Sequence, residues 1–254
     1  MDTTRYTTQL KQFRTELYQN ITNRADTLIE LMDAISSNTT ATSVVELSQT
    51  ACFRRSYSNL YKAIDEWQPP KMLLPHLLNP YLPTPRQKSF WLLFVDVTVQ
   101  PRPYGHTVDD RGMVYHPTVV SGNKPVTIGH QYSSVVLGLE PEAGMTGSWV
   151  LPLLTERVAT SQDKEMVGGR QIDALLDDPQ LPFGQELCVE AVDSSYSKPV
   201  YLHNHRQHAN LVTIARVKSN RTFYHQFQPE TEMDQSVGHP RWYGDRFKLS
   251  ATHG

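Results

Sequence analysis

Several things are scarce in this chain, and each scarcity excludes something. Only two cysteines, Cys52 and Cys188, occur in 254 residues. They lie far apart, so a disulfide scaffold is excluded and a reducing, cytosolic setting is expected. No apolar run approaches the ~18 residues of a membrane-spanning helix. The opening Met1-Asp-Thr-Thr-Arg5 lacks the basic-then-apolar layout of a secretion signal. No membrane partner is expected. A surplus of positive charge is missing too, since 24 Lys and Arg face 26 Asp and Glu for a net charge of -2. Any nucleic-acid surface must therefore come from local clustering. With 39% hydrophobic and 20% charged residues, the chain can bury a core as one large domain or two smaller ones.

The stretch Phe90-Trp-Leu-Leu-Phe-Val-Asp96-Val-Thr-Val99 is a run of large apolar and β-branched residues broken by one carboxylate. It predicts a central strand buried on both faces, in which an ionised Asp96 needs a cationic partner. Glu186-Leu-Cys-Val-Glu-Ala-Val-Asp193 repeats the pattern and is followed by Ser194 and Ser195. If the two strands are neighbours, Asp96 and Asp193 converge, and close carboxylates share a proton or bind a hard divalent cation. The competing reading is that each aspartate caps a turn at a strand end.

From the N-terminus, apolar positions between residues 9 and 35 follow mostly helical spacing. Ser43 followed by Glu46 predicts a capped helix start. The segment 53–64 predicts a second short helix burying Phe53, Tyr57, Leu60, Tyr61 and Ile64 and showing Arg54, Arg55, Asn59 and Lys62 on its other face. Two short helices with a tight link resemble a helix-turn-helix, its second helix placed for the major groove. A helical bundle with a solvated basic face fits as well. Residues 68–89 hold six prolines, which predicts a linker or packed extended arm without helix. The expected organisation is a helical, DNA-binding domain over 1–67, the Pro-rich linker over 68–89, a catalytic core over 90–220, and an insertion start and tail over 221–254.

Within the core, strands are expected at about 90–99, 113–120, 126–139 and 148–154 as antiparallel neighbours. A helix capped at Thr160-Ser-Gln-Asp163 follows, then the Asp193 strand, a helical segment near 198–208, and the strand Leu211–Val217. This order predicts an α/β fold with a mixed sheet, three antiparallel strands first and parallel strands after, as in RNase H-like proteins.

Asp96 to Gly112, Gly122 to Tyr132, and Val192-Asp-Ser-Ser-Tyr-Ser197 together resemble bacterial insertion-sequence transposases of the DDE class, more narrowly the insertion-sequence-4-like and related groups. The resemblance implies metal-dependent cutting and joining of DNA at element ends. It places the family's first two acids at Asp96 and Asp193, with Asp96 bridging two Mg²⁺ or Mn²⁺ ions and Asp193 holding one. The family's third acid lies in a late Tyr-Arg-Glu-Lys signature that does not occur before Gly254, which implies truncation ahead of it. Implied partners are the terminal inverted repeats of double-stranded DNA and a second copy or a full-length transposase; the implied location is cytoplasmic, at the nucleoid. A non-catalytic remnant that binds DNA ends as an inhibitor is the alternative.

Between Ser194 and Pro229 there is no acidic residue, while Lys198, Arg206, Arg216, Lys218 and Arg221 alternate with Tyr196, Tyr201, Phe223, Tyr224 and Phe227. Cations that neutralise phosphates and aromatics that stack on bases make a strand-holding groove. Core aromatics beside a wet basic face are the plainer reading. Lys124 is a further candidate DNA contact. His203, His205 and His208 match no closed zinc spacing and are expected on the surface, and Asp109-Asp110-Arg111 is expected to form a local ion pair.

Overall fold

The computed structural model describes residues 3–115, 125–141, 149–226 and 242–248. Four helices come first: α1 (Thr3–Gln19), α2 (Ala25–Ser37), α3 (Val44–Leu47) and α4 (Tyr57–Glu66). The expected helical run is interrupted between α1 and α2, where Arg24 adopts φ 53, uncommon for a non-glycine residue. Its guanidinium grips Glu66 at 2.7 and 3.1 Å. Ile21 enters the break to pack with Leu28, Ile29 and Ala63. Ser43 caps α3 as its spacing predicts, accepting from the Glu46 N–H at 3.2 Å while Glu46 accepts from the Thr42 N–H at 2.6 Å.

The second short helix differs from expectation in both start and face. It begins at Tyr57. Leu60 and Ala63 face α2, while Tyr57 (59% exposed), Tyr61 and Ile64 lie open. Phe53 reaches the same core from the preceding loop, beside Leu31, Ala34 and Leu60. Small residues on facing helices permit close approach, which leaves the bulkier stripe outside.

The Pro-rich arm is also partly helical, contrary to the sequence reading. Helix α5 (Leu73–Leu78) carries Pro75 in its first turn, where a missing N–H breaks no intrahelical bond. The arm is tied to the sheet half by Lys71 to Glu156 (3.0 Å), His76 to Asp178 (2.7 Å) and Asn79 to the Gln180 carbonyl (2.6 Å).

The sheet contains β1 (Trp91–Pro101), β2 (Gly112–Tyr115), β3 (Val126–Gly138), β4 (Val150–Val158), β5 (Cys188–Val192) and β6 (Leu211–Ala215). β3 runs antiparallel to β1, and both β2 and β4 pair with its far edge. β5 lies parallel on the other edge of β1, with β6 parallel beyond it. This mixed sheet is consistent with the expected RNase H-like arrangement. One pairing differs: β2 follows β1 in sequence yet hydrogen-bonds to β3, because β1 already uses that edge for β3.

Helices α6 (Lys164–Leu176) and α7 (Pro199–Asn204) provide the crossovers. The core gathers Leu93, Val95, Val135, Ile172 and Tyr196 against α6. β1 is buried on alternate residues only, not on both faces. Gly168 explains the glycine pair within α6, since a Cβ there would lie 2.8 Å from Val95 Cγ1 and 3.0 Å from Tyr196 Cε1. Close helix-to-sheet packing offsets the roughly 1 kcal/mol that glycine costs inside a helix. The cap lies three residues later than the sequence suggests, at Asp163 and not Thr160: Asp163 accepts from the Glu165 N–H at 3.3 Å. A last pair, β7 (Phe223–Tyr224) with β8 (Arg246–Phe247), stands apart from the main sheet.

Candidate active site

The parallel ladder of β1 and β5 ends with Val95 opposite Val192. Asp96 and Asp193 are the next residue on each strand, and neighbouring strands lie about 4.8 Å apart. β5 and β6 end with Val192 opposite Ala215, so Arg216 follows at the same level. On the other side, Asp96 pairs with Ser134 and Ser134 with Thr155, whose hydroxyls meet at 3.0 Å. One polar row thus crosses five strands in the order Thr155, Ser134, Asp96, Asp193, Arg216.

Asp96 is exposed, so the burial cost anticipated from its apolar flanks does not arise. Its Oδ1 accepts from the Val97 N–H at 2.7 Å. Asp193 Oδ1 accepts from the Ser195 N–H at 2.8 Å and the Ser195 hydroxyl at 2.7 Å. The turn-capping reading is therefore correct for one oxygen of Asp193. Partial burial pushes its carboxyl up, but the two bonds from Ser195, the charge of Lys164 and the Tyr196 amide outweigh this and hold it below the ordinary value. Both aspartates offer oxygen alone, the donor that hard divalent cations take, and Mg²⁺ is commonly bound through one or two carboxylates. The pair fits such an ion. Among the described residues, however, no three His, Cys, Asp or Glu side chains are grouped to hold one.

Two residues that the sequence reading passed over stand at this end. Because β4 is antiparallel to β3 and β3 to β1, β4 delivers α6 to the end of the sheet where the aspartates lie. There Lys164 acts on Asp193, and Glu165 is buried at 4% exposure. The legible signal was an acid in the first turn of a helix following a strand parallel to β1.

The proposed DNA-facing residues divide. Arg206, Arg216 and Lys218 are exposed. Arg221 is half-buried and donates to Ser197 Oγ at 2.9 Å. Lys198 is drawn inward, 3.0 Å from Glu165 and 3.5 Å from Asp163. Lys124 lies outside the described residues, as does Phe227. On the helical side, Arg54 pairs with Glu30 at 3.0 Å, and Arg55 pairs with Asp26 at 3.1 Å and Glu30 at 3.5 Å. Those two arginines clamp the loop before α4 to α2; Lys62 is exposed and Asn59 half-buried on α4 itself.

Tyr196 and Tyr201 are core residues at 1% and 2% exposure, which corrects their reading as a base-stacking groove. Tyr201 and His205 instead serve a buried carboxylate. Glu190, fully buried in β5, accepts from the Tyr201 hydroxyl, from Thr213 Oγ1 at 3.0 Å, and meets His205 Nδ1 at 3.0 Å. His208 pairs with Asp173 at 2.9 Å, so neither it nor His205 is the free surface histidine expected. Asp110 pairs with Arg157 of β4 at 3.1 Å, not with Arg111, whose guanidinium donates to the Arg102 carbonyl at 2.8 Å.

Residues 16–253 match the family model described as DDE superfamily endonuclease. No curated protein matches the chain.

Proposed function

The chain belongs to the DDE superfamily of endonucleases, and from that premise we propose that it is an insertion-sequence transposase which cleaves and joins DNA by metal-dependent phosphoryl transfer at Asp96 and Asp193. The observation that carries this reading is their position side by side where the β1–β5 ladder ends. When bound, Mg²⁺ or Mn²⁺ supplies Lewis-acid polarisation of a phosphoryl oxygen and neutralises charge that builds in an in-line displacement.

The chain's own residues do the rest. Ser195 fixes Oδ1 of Asp193 through two hydrogen bonds. The Val97 N–H orients Asp96 in the same manner. Arg216, exposed and next in the polar row, meets the phosphate on the flank of Asp193, and Arg206 and Lys218 extend the cationic track. Such contacts release counterions, so affinity falls steeply with salt. Substrate ends are terminal inverted repeats of double-stranded DNA, engaged partly through Lys62 and Asn59 of α4.

A second reading, binding of DNA ends without cleavage, draws on the absence of a three-ligand group among the described residues. Nicking of supercoiled plasmid in Mn²⁺ separates the two. The wild-type protein should nick, and Asp96→Ala and Asp193→Ala should each reduce nicking to background while gel-shift affinity for DNA stays within about threefold, since an aspartate contributes no phosphate neutralisation. Wild-type DNA binding with no nicking sinks the enzymatic reading, as does nicking that survives both substitutions.

A further inference from the structure

Resting on that reading of Asp193, we propose that Arg221 is a positioning residue, acting through Ser197 on the turn that carries the Asp193 carboxylate, and is not one of the phosphate contacts. The turn begins where the β5–β6 ladder ends. Asp193 accepts twice from Ser195 on Oδ1, and its backbone carbonyl accepts from the Tyr196 N–H at 3.3 Å. The Tyr196 ring is sunk in the core at 1% exposure, close under Gly168, where an added Cβ would stand 3.0 Å from its Cε1. Ser197, buried as well, closes the turn by donating to the Ser194 carbonyl at 2.8 Å. Lys198 then holds the exit of the turn to the start of α6, 3.0 Å from Glu165 and 3.5 Å from Asp163.

The loop after β6 returns to the same turn from the opposite side. The Arg216 N–H donates to the Val192 carbonyl at 3.1 Å and continues the ladder, and the Arg221 N–H donates to the Lys218 carbonyl at 3.0 Å. That second bond folds the loop back. The half-buried Arg221 guanidinium then donates to Ser197 Oγ at 2.9 Å. Among the described residues no carboxylate pairs with it, unlike Lys198 in the same cationic segment. Ser197 Oγ is therefore used as donor and acceptor at once, between a rigid guanidinium fork and the Ser194 carbonyl.

A metal ligand must be held within about 0.5 Å of its working geometry by partners that are themselves locked. The cation that acts on the Asp193 carboxylate directly is Lys164; Arg221 reaches it only along the chain Ser197, Ser194, Asp193. Arg216 and Lys218 in the same loop are exposed. One short loop thus turns two cations outward to substrate and one inward to the carboxylate's support.

The two readings of Arg221 differ in sign. Removing a cation near a divalent ion relieves repulsion and tightens binding, whereas removing a support weakens it. Mn²⁺ titration of the full chain without DNA, followed by the loss of the free-ion electron paramagnetic resonance signal, reads that sign. Arg221→Gln and Ser197→Ala should each weaken Mn²⁺ binding by roughly threefold or more, at or below the tenfold typical of partners bonded directly to a metal ligand. Arg221→Gln/Ser197→Ala should weaken it no further than the stronger single variant, because both remove one hydrogen bond. Ser197→Ala takes away a single hydroxyl and leaves Arg221 to water, so it decides the matter even if Arg221→Gln folds poorly. In gel shifts across a salt series, Arg216→Gln should reduce the salt slope by about 1 and Arg221→Gln should leave it unchanged.

Unchanged or tighter Mn²⁺ binding in Ser197→Ala overturns the proposal, as do additive losses in the double variant or a reduced salt slope in Arg221→Gln. Asp193→Asn tests the underlying reading separately. If it binds Mn²⁺ as wild type does, the two-aspartate site itself is wrong; if it weakens Mn²⁺ while Ser197→Ala does nothing, only the role of Arg221 falls.

Discussion

In the N-terminal helices the ion pairs lie mostly in the open, whereas the sheet half, beside exposed pairs such as Arg157 with Asp110, also buries a carboxylate with its partners. Arg14 with Asp33, Arg24 with Glu66, and Arg54 and Arg55 with Glu30 and Asp26 join α1, the α2 start, α4 and its preceding loop, mostly through side chains a third or more exposed. Only Glu30 among them is enclosed, at 8%. Beneath these pairs are two small apolar clusters built on α2. In the sheet half one large cluster runs from β1 to α7, and inside it Glu190 is fully buried with three polar partners. Exposed pairs contribute about 0–1 kcal/mol and weaken with salt. A buried carboxylate with its donors is neutral or costly to install but very costly to half-remove. The same amino-acid types thus give an adjustable helical half and an unforgiving platform under Asp193.

Glu190→Leu should break the comparison hardest. It strands the Tyr201 hydroxyl, His205 and Thr213 Oγ1 inside the core, where each unpaired group costs ~1–3 kcal/mol. A total near 3–5 kcal/mol should lower Tm by roughly 10 °C in a chain of this size, with the loss independent of salt. Thermal melts at low and high NaCl would check this; a change under about 1 kcal/mol would mean that the network relaxes and the platform is not rigid.

How much of this was legible in the sequence follows the same division. The β1 and β5 segments, the two aspartates that end their ladder and the serines after Asp193 could be read because a strand's alternation and a turn's residues are local. The crossover order predicted the mixed sheet for the same reason. What failed depended on partners distant in sequence. Tyr57, Tyr61 and Ile64 were counted as a core face of α4, but Ala34 and Ala63 decide which stripe docks. Arg54 and Arg55 were counted as DNA contacts without sight of Glu30 and Asp26 on α2. Lys198 was counted within an acid-free cationic segment, although its acids come from α6. Tyr196, Tyr201 and His205 were read as surface residues since nothing near them in sequence reveals Glu190 pointing into the layer beneath α7. Only the helix cap at Asp163 was misplaced for a purely local reason, because Thr160 and Asp163 both suit the role.

A medium effect is expected at the helical end. Arg55→Ala removes contacts to Asp26 and Glu30, while Glu30 keeps the Arg54 guanidinium at 3.0 Å and the Arg54 N–H at 3.1 Å. The loss should be about 1 kcal/mol at low salt and should shrink toward zero near 1 M NaCl, where screening acts within ~3 Å. Urea melts at the two salt concentrations measure it. A salt-independent loss would place this half in the same class as the Glu190 network and erase the contrast.

The smallest effect lies on the arm between the halves, where His76 meets Asp178 at 2.7 Å. Desolvation pushes the Asp178 carboxyl up, yet the Gln180 N–H and His76 outweigh it, and the net shift is downward from 3.8. A carboxylate depressed in the folded state contributes stability that is complete above its ordinary value and disappears as pH falls through the lower, folded one. The arm should therefore hold from neutrality down to about pH 4 and loosen only below it. Asp178→Asn removes the titrating group, so its stability should lie below wild type at about pH 5 by less than ~1 kcal/mol and converge with it as the pH falls below 3.8. Parallel curves over that range would mean that Pro75 and Leu77, both buried in α5, dock the arm by packing alone. The junction would then belong with the sheet half, not with the charge-pinned helices.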